Sequence, residues 1–257
     1  MRFGVCGGPE KAAAVAAAGY DYIELAAAAM LNPFEDDAAW TERRRTLDAM
    51  PIRPETFNVF ITAAKVTGPD ADSAVLERYV HTLLGRAALV GGKVVVFGSG
   101  GARGVPDGFS RETAREQILR FLGFCADAAD KTGVTVAIEP LNLSESNIIN
   151  TVTEGAEYAR TIGRPGVRDL ADTYHMEKDG EPLEAIVAAA DVLAHVHTAD
   201  TGRHAPGTGT YDHIALFRTL RAAGYDNRLS IECSWTDFEA QIGPALAHLK
   251  AAQAASA

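Results

Sequence analysis

Eight short runs rich in β-branched residues alternate with longer Ala-rich amphipathic stretches along this chain, and few architectures accommodate that rhythm. The runs fall at 2–7, 21–27, 52–60, 93–98, 134–139, 167–172, 193–197 and 228–232, and the helical stretches between them include 74–90, 111–132, 153–162 and 212–223. Strands separated by helical segments pair in parallel, because the helix carries the chain back to the same edge of the sheet. Eight such units without a break predict a single (β/α)8 TIM barrel over residues 1–257, and the count disfavours an open doubly wound sheet. A length of 257 residues suits one barrel, although length alone also admits two small domains. Gly19, Gly91–Gly92, Gly133 and Gly224 stand just before the second, fourth, fifth and eighth runs, where a left-handed residue ends the preceding helix.

Side chains alternate across a strand, so each run assigns its own faces. In VTVAIE, Val134, Val136 and Ile138 share the face that packs on helices, and Thr135, Ala137 and Glu139 share the barrel face. In RLSIE, Leu229 and Ile231 point outward and Ser230 and Glu232 inward, and in LAHVH, Leu193, His195 and His197 lie on one face. With Asp172, which ends VRDLAD, these runs carry Glu139, Asp172, His197 and Glu232 to the C-terminal rim, where barrel enzymes keep their chemistry. Two Glu, one Asp and one His form an oxygen and nitrogen ligand set for one divalent cation such as Mn²⁺, Mg²⁺ or Co²⁺. Taken singly, each residue has a plainer role: a solvated loop acid for either Glu, a turn cap for Asp172, a satisfied core histidine for His195. Ligand-type groups on four consecutive βα units are what point to a metal.

The chain has 34 acidic and 24 basic residues, a formal net charge of −10, which disfavours a nucleic-acid partner because phosphate binding needs a basic surface. Its three cysteines, Cys6, Cys125 and Cys233, lack CxxC spacing and fit a reduced chain; a Cys6–Cys233 bridge across neighbouring strands is the one conceivable pairing. Glu10 and Lys11 interrupt the N-terminal apolar stretch, and no run approaches the length of a membrane span. The expectation is therefore a cytoplasmic protein with no membrane partner. The KAAQAASA end is expected to fray.

The segments AIEPLN, ADTYHM, HVHTADTGRHAPGTG and IEC resemble the motifs of the xylose-isomerase-like sugar isomerase/epimerase barrels. Within that family they are most similar to the ketose 3-epimerases of the D-tagatose and D-allulose 3-epimerase group, with hydroxypyruvate isomerase a near relative. The resemblance covers essentially the whole chain, and its specific motifs lie between Glu139 and Glu232. It implies one divalent metal ion per subunit, Mn²⁺ ahead of Co²⁺ or Mg²⁺, held by Glu139, Asp172, His197 and Glu232. It implies that Glu145, His175 and Arg203 contact substrate oxygens, that the substrate is a ketose or related sugar, and that the assembly is a homodimer or homotetramer.

The chemistry explains the residue types. A proton beside a ketone leaves only if the resulting charge is stabilised, and a divalent metal on the carbonyl and neighbouring hydroxyl oxygens holds a cis-enediolate. Epimerisation then needs an acid/base group on each face of the planar intermediate, the part Glu139 and Glu232 are expected to play. His175, three residues after Asp172, is expected on a loop above the rim, and Arg203 on a Gly-rich loop able to fold over the site.

The chain also departs from the 3-epimerase pattern. Its covering loops and C-terminus are shorter, strand eight reads IECSW where many epimerases carry Pro or Ser and then Phe, and FGVCGG lacks the aromatic that those enzymes often place over the substrate. Trp235 either walls the sugar pocket or packs under the last helix. His197, where hydroxypyruvate isomerase usually carries Gln, favours the epimerase side. The alternatives are a hydroxypyruvate-isomerase-type aldose–ketose isomerase and a C-glycoside-cleaving enzyme acting on a 3-keto sugar. A DNA-repair endonuclease predicts more histidine ligands and a basic groove, and a non-catalytic sugar-binding barrel predicts damaged ligands. No Lys/Arg cluster marks a phosphate pocket, which favours a free ketose.

Overall fold

The computed structural model of the chain describes residues 1–256. Eight parallel strands close a barrel in chain order: β1 (Arg2–Cys6), β2 (Tyr22–Ala26), β3 (Pro54–Asn58), β4 (Val94–Phe97), β5 (Thr135–Ile138), β6 (Val167–Asp172), β7 (Leu193–Thr198) and β8 (Arg228–Ile231). Closure comes from β1 pairing β8, with Phe3 opposite Leu229. Every predicted run overlaps its strand, and the helix Arg111–Thr132 has the bounds read from the sequence. The expected left-handed helix ends are present at Gly19, Gly91, Gly133 and Gly224.

The alternation holds. Val134, Val136, Ile138, Leu229 and Ile231 join the main core between sheet and helices. A smaller apolar cluster of Val94, Val96, Ala137 and Leu170 fills the barrel under β4, β5 and β6. The rest of the interior is polar and equally buried: Glu24, Thr56, His195 and Ser230, beside Tyr22. The barrel is therefore apolar along one wall and hydrogen-bonded along the other.

Helices also form outside the stretches given bounds from the sequence. Asp37–Asp48 buries only Trp40 and Leu47, too few to form an apolar stripe in the sequence. Phe238–Ala255 takes in most of the KAAQAASA end, so that segment is helical where fraying was expected; Leu246, Leu249 and Ala252 are buried on its inner side. All three cysteines are free, which removes the Cys6–Cys233 bridge. Among the described residues no helix is long and apolar enough to cross a membrane.

Among the described residues, four non-glycine residues have positive φ: Val59 at 49°, Ser99 at 42°, Ile149 at 59° and Arg203 at 65°. Val59 directly follows β3, Ser99 follows β4 after Gly98, and Ile149 and Arg203 lie in the segments after β5 and β7. β-Branched residues rarely adopt this conformation, and it persists only where neighbours over-determine it. Each of the four is pinned. Ala28 N–H donates to the Val59 carbonyl at 3.0 Å, Ile61 N–H to Ser99 Oγ at 3.1 Å, and Ser234 N–H to the Arg203 carbonyl at 2.7 Å. The Ile149 carbonyl accepts from the fully buried Arg103 at 3.1 Å, and the same guanidinium also donates to the carbonyls of Phe97 and Glu139 at 2.7 and 2.8 Å.

On the outer face of β6, Asp169 is fully buried under the helix Val152–Ile162, and a Cβ on Gly155 would meet its Oδ1 at 2.2 Å. Burial pushes this carboxyl well above the usual range; Glu181 adds to the effect, while the Leu170 amide and Arg160 oppose it. A raised folded pKa contributes stability that is complete below the ordinary carboxylate pKa and is lost as pH rises toward the folded value. Asp169→Asn, which carries no proton to lose, is thus expected to become more stable relative to wild type between pH 5 and pH 8. Urea unfolding midpoints measured across that range check this, and a pH-independent difference contradicts it.

Candidate metal centre and active site

The four ligand-type side chains converge. One ligand atom from each of Glu139, Asp172, His197 and Glu232 can be chosen so that all lie within 4.8 Å of one another. His197 Nδ1 stands at the middle, 3.0 Å from Glu139 Oε1, 3.4 Å from Glu232 Oε2 and 3.8 Å from Asp172 Oδ2. Strand parity brings them there: Asp172 and His197 are partners in the β6–β7 register, and Glu139 and Glu232 are the first residues past β5 and β8. Gly98 makes room for Glu139, since a Cβ there would lie 2.1 Å from Glu139 Oε2.

These residues fit a divalent cation. Asp172 Oδ1 accepts the Tyr174 amide at 2.7 Å, whereas its buried Oδ2 has no hydrogen-bond partner and faces the cluster. An orphaned buried carboxylate oxygen is rare in proteins and calls for an ion or proton. Burial pushes the Asp172 carboxyl up to about 6, with Glu232 and Glu139 adding to it and His175 and His197 opposing. Burial also works to raise Glu232, but His197 and Arg203 outweigh it and hold that carboxyl low. The His197 imidazole is driven well up, its burial outweighed by Glu24, Cys6, Glu232 and Glu139. Negative charge thus exceeds what the site's own cations balance, as an all-protein ligand set for a hard or borderline cation would.

The three expected substrate contacts surround this cluster. Arg203 Nη2 donates to Glu232 Oε2 at 2.9 Å, its Nη1 lies 3.7 Å from Glu145 Oε1, and its guanidinium sits 4.7 Å from the Tyr174 ring centre. Its loop does not hang free. Asp200 accepts the amides of Thr201 and Tyr211 at 2.9 Å each and of Gly207 at 2.8 Å, cinching the turn that carries Arg203. His175 differs from expectation: it lies in a short helix, Thr173–Asp179, and is buried, because Asp172 caps that helix directly at the strand end. Its Nδ1 accepts the Asn142 amide at 3.2 Å, so its Nε2 carries the hydrogen, 3.7 Å from Asp172 Oδ2. Glu145 remains on a loop and accepts from Asn142 Nδ2 at 2.8 Å.

Several contributors escaped the sequence reading. Asn58 Nδ2 donates to Glu232 Oε1 at 3.0 Å, so both oxygens of Glu232 have partners. Glu24, on the far side of His197, was legible by the same alternation as the single acid in the apolar run YIELA. Trp235 packs edge-on against Phe238 at the start of the last helix, 5.2 Å between ring centres.

Residues 12–252 match the family described as xylose isomerase-like TIM barrel. The chain belongs to that family. It is 31% identical over 234 residues to an L-ribulose 3-epimerase of Methylomonas sp. (strain DH-1), covering 88% of this chain and 78% of that one. A 3-dehydro-D-guloside 4-epimerase of Escherichia coli (strain K12) is 35% identical over 119 residues, 46% of this chain and 45% of the relative, so that match spans just under half of each. Among solved structures, a D-allulose 3-epimerase from Methylomonas sp. in complex with D-allulose superposes with a TM-score of 0.82 at 26% identity, covering 98% of this chain and 96% of the other. Membership of this xylose isomerase-like family, with epimerases and isomerases as relatives, makes the chain an enzyme of the sugar isomerase/epimerase type.

Proposed function

We propose that the chain is a divalent-cation-dependent 3-epimerase of a small free ketose. The observation that carries this reading is the convergence of two carboxylates, Glu139 and Glu232, with Asp172 and His197 about one point beneath Arg203. Those four residues would hold the cation, with Mn²⁺ the first choice, and when bound it supplies Lewis-acid polarisation of the ketone and neighbouring hydroxyl oxygens. Glu139 and Glu232, arriving from β5 and β8, address the two faces of the carbon at position 3. One takes its proton and the other returns a proton to the opposite face. Glu232 is kept ionised by Arg203 and Asn58 and so rests ready to accept. The Nε2–H of His175 and the guanidinium of Arg203 donate to sugar oxygens, and Glu145 orients Arg203. The Asp200-anchored loop holds Arg203 over the site and limits water there.

A second reading, proton transfer beside the ketone of a 3-keto sugar, is favoured by the similarity to the E. coli 4-epimerase. One experiment separates the two. The purified protein with Mn²⁺ is given free ketoses, ketose phosphates, 3-keto glycosides and hydroxypyruvate in heavy water, and the exchanging carbon is read by NMR. Exchange at carbon 3 of a free ketose is the expected result. Exchange at carbon 1 marks aldose–ketose isomerisation, exchange at carbon 4 of a 3-keto glycoside marks the second reading, and no exchange anywhere defeats both.

A further inference from the structure

Behind His197, on the side away from the cluster, a second polar group occupies the barrel. Glu24 of β2 is fully buried. Its Oε1 lies 2.9 Å from His197 Nε2. Its Oε2 accepts from Thr56 Oγ1 at 2.7 Å and Ser230 Oγ at 2.5 Å, and lies 3.0 Å from His195 Nε2. Burying a carboxylate is strongly unfavourable unless every lone pair is used, and here the available partners come from β3, β7 and β8. A carboxylate can only accept, so His197 carries a hydrogen on Nε2 toward Glu24. Nδ1 lies 3.0 Å from Glu139 Oε1, and a cation among Glu139, Asp172 and Glu232 would take the Nδ1 lone pair while Nε2 keeps its hydrogen on Glu24. A flipped ring would set a carbon against Glu24, and His195, stacked edge-on at 5.0 Å between ring centres, walls the ring on that side.

We propose that Glu24 is a positioning residue that fixes the tautomer and ring orientation of His197, so that Nδ1 is presented as a ligand to the cation site. The inference rests on the cation-site reading above. Glu24 itself reaches the site only through the imidazole; its hydrogen-bond partners are His197, His195, Thr56 and Ser230. A carboxylate behind a ligating imidazole also raises the basicity of the ligating nitrogen, and loss of such a partner typically weakens metal binding about 10–100-fold.

The alternative is that Glu24 merely neutralises a polar barrel wall, and the test separates the two roles. Mn²⁺ is titrated calorimetrically into metal-free wild type, Glu24→Gln and Thr56→Val, with thermal melts of each metal-free protein. Thr56→Val removes a hydrogen bond from the same carboxylate without touching His197, so it reports on packing alone. Glu24→Gln is expected to weaken Mn²⁺ binding about tenfold or more, while Thr56→Val keeps wild-type affinity even if it melts earlier. Wild-type affinity in Glu24→Gln, or an equal loss in Thr56→Val, overturns the proposal. A second measurement needs no variant: nitrogen-15 histidine NMR of the wild type loaded with Zn²⁺. Hydrogen on Nε2 of His197 supports the role, and hydrogen on Nδ1 overturns it. Failure of the wild type to bind Mn²⁺ at all defeats the cation-site reading instead, a result distinct from either.

Discussion

Glu139→Gln and Glu232→Gln are each expected to lower turnover by about two to four orders of magnitude, the usual worth of a positioned general acid or base. The amide keeps an oxygen for the cation but can neither take nor return a proton. The two variants should fail differently. With both epimers of the substrate in heavy water, a variant still exchanges the proton of the epimer facing its intact carboxylate, yet does not deliver one to the other face. Exchange then outlives epimerisation, and for opposite epimers in the two variants. Glu232→Gln carries an added loss, because Arg203 donates to Glu232 Oε2 at 2.9 Å and a neutral partner loosens that guanidinium. Its KM should therefore rise while that of Glu139→Gln changes less. Metal content measured on both proteins separates a lost base from a lost ligand. Near-normal turnover by either variant defeats the two-base scheme.

Stripping the protein with a chelator is expected to abolish activity and lower the melting temperature, and Mn²⁺ is expected to restore both. Without a cation, Asp172 Oδ2 is buried and unpartnered, and three carboxylates share one small volume. Ligand binding to the folded state alone adds about 2.7 kcal/mol at a hundredfold excess over Kd. For a chain of this size each kcal/mol moves the midpoint by roughly 2–4 °C, so a shift of about 5–10 °C is expected. Co²⁺ should bind more tightly than Mn²⁺ in an oxygen- and nitrogen-donor site, following the general order of divalent affinities. Binding should also release protons, since Asp172 is pushed up to about 6 and must be ionised to serve as a ligand. Unchanged activity and melting after chelation would remove the cation from the reaction.

Much of this site was legible because strand parity is a local property. Once VTVAIE and RLSIE were read as half-buried strands, the inward direction of Glu139 and Glu232 followed, and the structure agrees with both assignments. What stayed hidden depends on contacts between distant segments. Strand parity aims Glu24 of YIELA inward, but its pairing with His197 exists only once closure of the barrel sets it against β7, 173 residues on. Asn58 and Arg103 gain their roles the same way, one from β8 and the other from three backbone carbonyls at the rim. His175 was placed on a loop because nothing in ADTYHM announces that Asp172 caps a helix while also facing the cluster. The helix Asp37–Asp48 has no bounds legible in the sequence because only two of its side chains are buried, too few to leave a periodic trace.

The left-handed residues Val59, Ser99, Ile149 and Arg203 all lie at the end of the barrel that bears the site, each tied by its own hydrogen bond. A left-handed L-residue carries a penalty of roughly 1–2 kcal/mol. This end of the barrel thus carries backbone strain of its own, and substitutions that relieve it would gain stability where the aim of the candidate site depends on that backbone. Thermostability would be better sought at the opposite end of the barrel and on the outer helices, which can be hardened without retuning the mouth.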